Sequence, residues 1–291
     1  MFAPDGSSMV LDVSSRYAPL HQYYDFDLPT VLGNAPFIDG TVIPITDDVR
    51  PLNFCHWLLD WIARLGFLGS RAHRQSTYVV TTPLIAAFQR DSLRMCGFDE
   101  SRVIALEEFQ AVRARELLVP GDLPDVPHPI HKAAPWTLSY LRSTIGLSSM
   151  REAGGGRRRG EKIYVSRADG GHRKVVNDVE FAAALARRGY RTITLSDLSL
   201  AEQVTAFAYA SHIVSMHGAG LANLAFATPG TKAIEIFPES FGTPAFWVVA
   251  AGTEYLYATD IADRVMPGAA APFADVAIDV ARFLDACGEL L

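Results

Sequence analysis

The stretch HIVSMHGAGLANLAFATPG, residues 212–230, carries the strongest fold signal in the chain. A short apolar strand runs into His217, and two glycines, Gly218 and Gly220, stand where a helix is expected to begin. A helix N-terminus presents unpaired N–H groups and a partial positive charge, and glycine lets an anion come close to the backbone. The same pattern is equally typical of a tight strand-to-helix turn that contains an incidental histidine.

Strands and helices alternate around this stretch. In the second half the alternation runs through KIYVS, NDVEFAAALARRGY, RTITLS, SLAEQVTAFAYA, HIVSM, AGLANLAFA, KAIEIF, TPAFWVVAAG and EYLYAT. In the first half the elements are a hairpin in APFIDGTVIPITDD, a helix in PLNFCHWLLDWIARLGFL, the strands STYVVTT, RVIAL and RELLVP, and a helix in PWTLSYLRSTIGL. Such alternation predicts βαβ units and parallel sheets, and therefore an α/β protein.

A break in the pattern divides the chain. SSMREAGGGRRRG, residues 148–160, has a glycine triplet, a run of arginines and no apolar periodicity, which is typical of a linker. We therefore predict an N-terminal α/β domain over residues 1–147 and a second α/β domain over 161–265, which the resemblance described below implies to be Rossmann-like. A final helix is predicted in residues 266–291.

Composition limits the classes of function. The chain has 291 residues, about half of them apolar, and a formal net charge of −6, which argues against a nucleic-acid partner. Three scattered cysteines are typical of a reduced, intracellular protein rather than of a disulfide framework or a zinc site. No signal peptide or membrane span is expected from the sequence. These features favour a cytoplasmic protein, and they leave open a peripheral contact with the inner face of the membrane.

Candidate ligand-binding residues gather at the carboxyl ends of the predicted strands, where open α/β sheets bind ligands. Ser166 and Arg167 end the first strand of the second half, His217 ends the third, and Glu235 lies at the end of the fourth. Arg173 follows in the loop after the first strand. Guanidinium groups match diphosphate oxygens, and a carboxylate suits ribose hydroxyls. Each residue alone is better explained by a salt bridge or a helix cap, and it is their convergence on one edge of the predicted sheet that favours a binding site.

A second candidate group lies in the first half, in NFCHWLLD. His56 and Asp60 are four residues apart, so on a helix they share a face with Asn53, while Trp57 and Trp61 take the core face. Such a pair suits a general base with a partner, or is a plain surface pair on a helix.

Together, the stretches NFCHWLLDWIARL, YVSRADGGHRKVVN and IVSMHGAGLANLAFATPGTKAIEIFP resemble glycosyltransferase family 61, over roughly residues 50–260. The resemblance implies the GT-B architecture, in which two Rossmann-like domains with parallel sheets face a cleft. It implies an inverting transfer of a sugar from a nucleotide donor, usually UDP-linked, with no required metal. No cofactor is expected, since the UDP-sugar is a co-substrate.

The resemblance also assigns residue roles. Asp60 falls at the candidate base, His56 either orients Asp60 or contacts the donor, and Asn53 lies on the acceptor side. Glu235 fits the ribose contact. The implied donor-binding set is Ser166, Arg167, Arg173, His217, Gly218, Ala219, Gly220, Asn223 and Glu235.

The expected acceptor is a hydroxyl of a glycan or a lipid-linked glycan, as in polysaccharide biosynthesis. Asp25 and Asp27 form a three-residue acidic motif far from the nucleotide-like half, and we assign it no metal. The alternatives are a GT-B nucleotide-sugar epimerase and a non-catalytic nucleotide-sugar-binding protein. A dinucleotide-dependent oxidoreductase fits poorly, because GAGLAN has Asn223 where such a site needs a third glycine.

Overall fold

The computed structural model describes residues 33, 35–45, 53–107, 111–119, 135–154, 160–239, 241–250, 254–265 and 273–291. The chain separates into two compact units, Met1–Tyr140 and Leu141–Leu291. Within the described ranges no helix has the length and apolar character needed to cross a bilayer.

The first unit contains a four-stranded sheet. Its strands are β1 (Phe37–Pro44), β2 (Thr77–Thr81), β3 (Val103–Ala105) and β4 (Arg113–Leu117). They lie in the order β3–β2–β1–β4, and every neighbouring pair is parallel. The predicted hairpin is therefore wrong. Strand β1 runs straight through Gly40, where a Cβ would overlap the carbonyl oxygen of Ser76, so this glycine permits a close approach of two segments rather than a turn.

The predicted helix of NFCHWLLDWIARL is present but irregular. It consists of helix α1 (Phe54–His56), a π-helical turn (Trp57–Trp61) and 3₁₀ turns (Ile62–His73). Trp57 is buried, as its spacing predicts, and its indole N–H donates to Oγ of Ser92 at 2.8 Å. Other helical elements among the described residues of this unit are α2 (Ala87–Met95), a 3₁₀ turn (Glu100–Arg102) and α3 (Pro135–Leu141, whose last residue begins the second unit).

The second unit contains a six-stranded sheet. Its strands are β5 (Glu161–Ser166), β6 (Tyr190–Thr194), β7 (Ala210–Met216), β8 (Lys232–Pro238), β9 (Glu254–Arg264) and β10 (Val276–Ile278). The order is β10–β9–β8–β7–β5–β6, and all pairs are parallel except β9 with β10. The predicted α/β class, with a parallel sheet in each half, is confirmed.

The helices described in this unit include α4 (Leu147–Glu152), α5 (Asp178–Ala186), α6 (Leu200–Tyr209) and α7 (Val280–Ala286). The last three pack against strands of the sheet, and α4 packs against α6. The predicted capping box of α6 is confirmed: the N–H of Glu202 donates to Oγ of Ser199, and the N–H of Ser199 donates to the Glu202 carboxylate. Tyr164, Phe181 and Phe283 belong to the buried cluster between sheet and helices.

Two predicted boundaries are wrong. The linker of residues 148–160 begins inside helix α4, in which Ser149 is fully buried. The helix ends at Glu152, and Gly154 follows it with a φ of 66°, the left-handed conformation that closes helices. The final stretch, predicted to be one helix, forms β10 before α7. Val276 and Ile278 are buried on either side of a half-buried residue, which is the two-residue period of a strand.

Two predicted helices take other forms. The helix predicted after the double glycine is a 3₁₀ helix, Ala219–Phe226. Its residues Leu221–Phe226 are all buried, so the sequence has no polar face from which the helical period could be determined. The described part of TPAFWVVAAG, residues 243–250, forms no regular helix and mostly turns. In it the N–H of Ala250 donates to the carbonyl of Phe246 at 2.9 Å, and the N–H of Trp247 donates to that of Pro244 at 3.1 Å. Two adjacent β-branched valines in so short a segment nucleate a helix poorly.

Candidate functional site

The first unit positions a histidine and an aspartate on one helical face. Nδ1 of His56 lies 2.7 Å from Oδ2 of Asp60, as the four-residue spacing predicts. Asn53 begins the helix, because its Oδ1 accepts from the N–H groups of Cys55 at 3.0 Å and His56 at 3.3 Å. The side chain assigned to the acceptor side therefore has a capping role.

The aspartate is the outer member of this pair. The side chain of Asp60 is 12% exposed and that of His56 is 5% exposed. A carboxylate that accepts from an imidazole N–H keeps further lone pairs, so Asp60 retains the capacity to accept a proton. Burial, and then the charge of Asp60, raise the pKa of the neighbouring Cys55 thiol, which disfavours the reactive thiolate form.

In the second unit the loop after β5 is tied to helix α5. Oγ of Ser166 donates to Oδ2 of Asp178 at 2.8 Å and accepts from the N–H of Ala168 at 3.1 Å, and the hydroxyl of Tyr164 donates to the same carboxylate. Ser166, predicted to bind the donor, thus fixes the start of the loop that carries Arg167.

Arg167 lies against the first glycine of the HGAG turn. A Cβ on Gly218 would overlap Nη1 of Arg167 and lie 2.9 Å from its Cζ. Gly218 has extended backbone, φ 172°, so the glycine is required by this close approach. Nη2 of Arg167 donates to the carbonyl of His172 at 3.0 Å. Gly218 therefore makes room for a guanidinium, whereas the sequence suggested that it makes room for an anion.

Arg173 adds a second cation. Its φ of 58° is left-handed, a conformation that a side chain other than glycine rarely adopts. Burial, and then the charge of Arg167, lower the pKa of Arg173 to about 10, and Glu235 acts against this. Burial also lowers the pKa of Arg167, against the charges of Asp169 and Asp275. Two partly desolvated cations side by side favour an anionic ligand.

His217 and Glu235 form a second histidine–carboxylate pair. Nδ1 of His217 lies 2.5 Å from Oε1 of Glu235, and the side chains are 11% and 0% exposed, respectively. The parallel register sets Glu235 of β8 opposite Ser215 of β7, two residues before His217, so the two side chains share one face of the sheet.

An aromatic cage holds the His217 ring. Phe237 stacks on it with centroids 5.0 Å apart and an interplanar angle of 21°. Phe241 and Phe246 pack at 5.4 and 5.3 Å. The sequence places Phe237 at the end of a predicted strand, close to His217. It does not indicate that Phe241 and Phe246 reach the same ring, because the turns of their segment were not predicted.

The rest of the HGAG turn is structural. A Cβ on Gly220 would overlap Cδ1 of Leu195. Nδ2 of the fully buried Asn223 donates to Oε1 of Gln203 at 3.3 Å and to the carbonyl of Gly220 at 3.1 Å. Ala219 opens the 3₁₀ helix. Gly220 and Asn223 thus fix the conformation of the loop through contacts within the fold. Gln203, which the sequence analysis did not single out, accepts one of the Asn223 hydrogen bonds.

The structure brings one predicted group together. Arg167, Arg173, His217, Gly218 and Glu235 meet at the carboxyl ends of β5, β7 and β8, as predicted. The His56–Asp60 pair belongs to the other unit. Asp25 and Asp27 lie outside the described residues, and among those described no group of three or more His, Cys, Asp and Glu side chains is arranged to hold a metal.

Solved structures with a similar chain trace include two E. coli heptosyltransferases. Heptosyltransferase WaaC with ADP has 10% identity and a TM-score of 0.45, covering 86% of this chain and 99% of that one. ADP-heptose lipopolysaccharide heptosyltransferase II has 11% identity and a TM-score of 0.38, covering 86% and 98%. These likenesses are too distant to carry an argument about the site.

Sequence comparison gives closer relations. The protein O-linked-mannose β-1,4-N-acetylglucosaminyltransferase 2 of Tetraodon nigroviridis is 35% identical over 94 residues, which cover 27% of this chain and 16% of that protein. The chain therefore matches only a small part of that relative. The family model described as Glycosyltransferase 61 matches residues 54–234, more than half of the chain, from the helix of His56 to the strand of Glu235. The chain belongs to glycosyltransferase family 61.

Proposed function

We propose that this glycosyltransferase moves a sugar from a UDP-linked donor to a hydroxyl of a glycan or lipid-linked glycan, with inversion at the anomeric carbon. The observation that carries the donor assignment is the guanidinium of Arg167 seated on Gly218 beside Arg173. Charge-assisted bonds from guanidinium groups to phosphate are among the strongest in proteins.

The two arginines serve the leaving group. As the bond between the anomeric carbon and the diphosphate breaks, negative charge grows on the phosphate oxygens, and Arg167 and Arg173 stabilise it. This is the task that a divalent metal performs in other transferases, and we propose that the reaction here needs no metal.

Asp60 serves the acceptor. Its carboxylate takes the proton of the acceptor hydroxyl while the hydroxyl oxygen bonds to the anomeric carbon on the face opposite the diphosphate. The products are the transferred glycoside with inverted configuration, free UDP and protonated Asp60. The 2.7 Å contact with His56 keeps the carboxylate in one orientation, which supports this role.

A ligand panel tests the donor assignment. Thermal unfolding is followed with UDP, GDP, CMP and NAD, each with excess EDTA and with Mn²⁺. A ligand at about 100 times its Kd adds about 2.7 kcal/mol of stability. We expect UDP to stabilise most, equally in EDTA. Stabilisation by another nucleotide alone, or by UDP only with Mn²⁺, contradicts the proposal.

Sugar transfer is tested with UDP-N-acetylglucosamine first, because the curated relative is named for transferring that sugar. Release of UDP that depends on an added glycan, with an inverted product by NMR, supports transfer. Isomerisation of the donor without any acceptor supports the epimerase alternative, and binding without turnover over a broad acceptor panel supports the non-catalytic one.

A further inference from the structure

We infer that Glu235 does not touch the donor and acts as a positioning residue, holding His217 so that Nε2 of the imidazole makes the contact. This inference rests on the proposed donor site and changes the role that the sequence assigned to Glu235, a direct contact with ribose. It also makes His217 the residue of this pair that contacts the ligand.

The side chains of Glu235 and His217 differ in their exposure. Glu235 is fully enclosed, whereas the His217 side chain retains 11% of its surface. Oε1 of Glu235 is engaged by Nδ1 of His217 at 2.5 Å, and the carboxylate also faces the charge of Arg173. A carboxylate that is fully enclosed has no open side for a ribose, whereas the imidazole retains exposed surface.

The contact with Glu235 decides which ring nitrogen is available. An ionised carboxylate only accepts, so Nδ1 must carry the hydrogen. In the neutral ring Nε2 is then a bare acceptor suited to a sugar hydroxyl, and in the charged ring it is an N–H suited to a phosphate oxygen. In both states Nδ1 is occupied and Nε2 is the nitrogen left for a ligand.

The aromatic cage makes the arrangement rigid. Phe237 covers one face of the ring, and Phe241 and Phe246 pack against it at other angles. With the ring held by packing and Nδ1 held by Glu235, the direction of Nε2 is set before a ligand arrives. We therefore expect the loss of Glu235 to weaken ligand binding chiefly through His217.

A double-mutant cycle tests this coupling. UDP affinity is measured by titration calorimetry for Glu235→Met, His217→Phe and the double variant. We expect each single variant to bind UDP about tenfold more weakly, the loss of one hydrogen bond, and the double variant to lose no more than a single one. A double variant weakened about 100-fold means that Glu235 contacts the ligand independently and overturns the inference.

Two further variants sharpen the cycle. Glu254→Met changes an exposed glutamate at the start of β9, opposite Lys232 in the strand register and away from the carboxyl ends of the strands. This variant should bind UDP like the wild type. Glu235→Gln keeps an oxygen that accepts from Nδ1, so we expect it to restore most of the affinity lost in Glu235→Met. If Glu235→Gln binds no better than Glu235→Met, the positioning role is wrong.

A spectrum without any ligand separates this inference from the donor assignment. Long-range ¹H–¹⁵N NMR of the histidine rings, with His217 assigned from the His217→Phe spectrum, reports which nitrogen is protonated. We expect Nδ1 of His217 to carry hydrogen in the wild type and in Glu235→Gln, and to lose this preference in Glu235→Met. A bare Nδ1 in the wild type overturns the inference. A wild type with hydrogen on Nδ1 that binds no UDP leaves the inference standing and contradicts the proposed donor.

Discussion

Each unit of the chain carries a histidine joined through Nδ1 to a carboxylate, and the two pairs are built in opposite order. In the first unit the carboxylate of Asp60 is the outer group and His56 lies deeper. In the second the imidazole of His217 is the outer group and Glu235 is fully enclosed.

The scaffold explains the reversal. His56 and Asp60 lie one turn apart on a helical segment, so the register of that segment alone decides which side chain is outermost. Glu235 lies within a strand of a parallel sheet covered by helices, where side chains are buried, while His217 lies just beyond the end of the neighbouring strand. In the proposed mechanism the same two chemical groups thus supply a carboxylate to the acceptor in one unit and an imidazole to the donor in the other.

The largest expected effect concerns the outer group of the first pair. Asp60→Asn should lower turnover by roughly two to four orders of magnitude, because a general base acts only as the proton moves. UDP affinity should stay within about twofold of the wild type. Initial rates with saturating donor and acceptor, together with calorimetry of UDP binding, measure both quantities.

The matched control is Asp91→Asn, which changes a partly exposed aspartate paired with Arg94 on α2. It should behave as the wild type in both measurements. Full activity in Asp60→Asn, or loss of its UDP binding, removes Asp60 as the base and breaks the contrast between the two pairs.

The next effect tests whether the second unit alone serves the donor. Arg167→Ala should weaken UDP binding by about 1.5–3 kcal/mol, roughly 10- to 150-fold, since it removes a charge-assisted contact to phosphate. Arg191→Ala removes a half-exposed arginine paired with Glu161 at the start of the sheet and serves as the control. Equal UDP affinity in the two variants would show that Arg167 is not a donor residue.

Gly218→Ala sharpens the donor side further. The added Cβ overlaps the guanidinium of Arg167, so the arginine must move, and UDP binding should weaken by about tenfold, as overpacking of about 1–3 kcal/mol implies. In an Arg167→Ala background the same change should have little effect on UDP affinity.

Gly288→Ala, where an added Cβ meets no atom within 4 Å, is the matched control for this change. Additive losses in the Arg167→Ala background would mean that Gly218 acts on the ligand directly, as the sequence first suggested.

The smallest expected effect is on the stability of the fold, and it tests the backbone strain at Arg173, beside the His217–Glu235 pair. Arg173→Ala and Arg173→Gly both remove the guanidinium, but only glycine adopts a φ of 58° freely. We expect the glycine variant to be more stable than the alanine variant by about 1 kcal/mol, with equal UDP affinities. Thermal unfolding of the two side by side measures this, and equal stabilities would mean that the backbone relaxes in the alanine variant.

Sequence patterns predicted which residues belong to the site better than which of their side chains contact each other. The His56–Asp60 contact follows from helical spacing alone, and the alternation of elements predicts that Arg167, His217 and Glu235 share one edge of a sheet. The contact between His217 and Glu235 depends on the register of two parallel strands, which no local pattern encodes. The role of Gly218 depends on Arg167, a residue 51 positions away in sequence.

The elements that sequence patterns missed are those decided by packing. Strand β10 has only three residues, which are too few to show the alternation of a strand in the sequence. The stretch that contains it continues into helix α7, so the whole stretch was assigned to a helix. The 3₁₀ helix after the double glycine is buried on all sides in its latter part, so its apolar residues show no helical stripe. In both cases tertiary contacts override local preference.

The crystal structure of the chain with UDP bound tests the central contrast most directly. The account predicts the diphosphate on Arg167 and Arg173, Nε2 of His217 within hydrogen-bond distance of the nucleotide, and Glu235 still bonded to Nδ1 behind it. A nucleotide bound wholly within residues 1–140, or a ribose hydroxyl bonded directly to the Glu235 carboxylate, would contradict it.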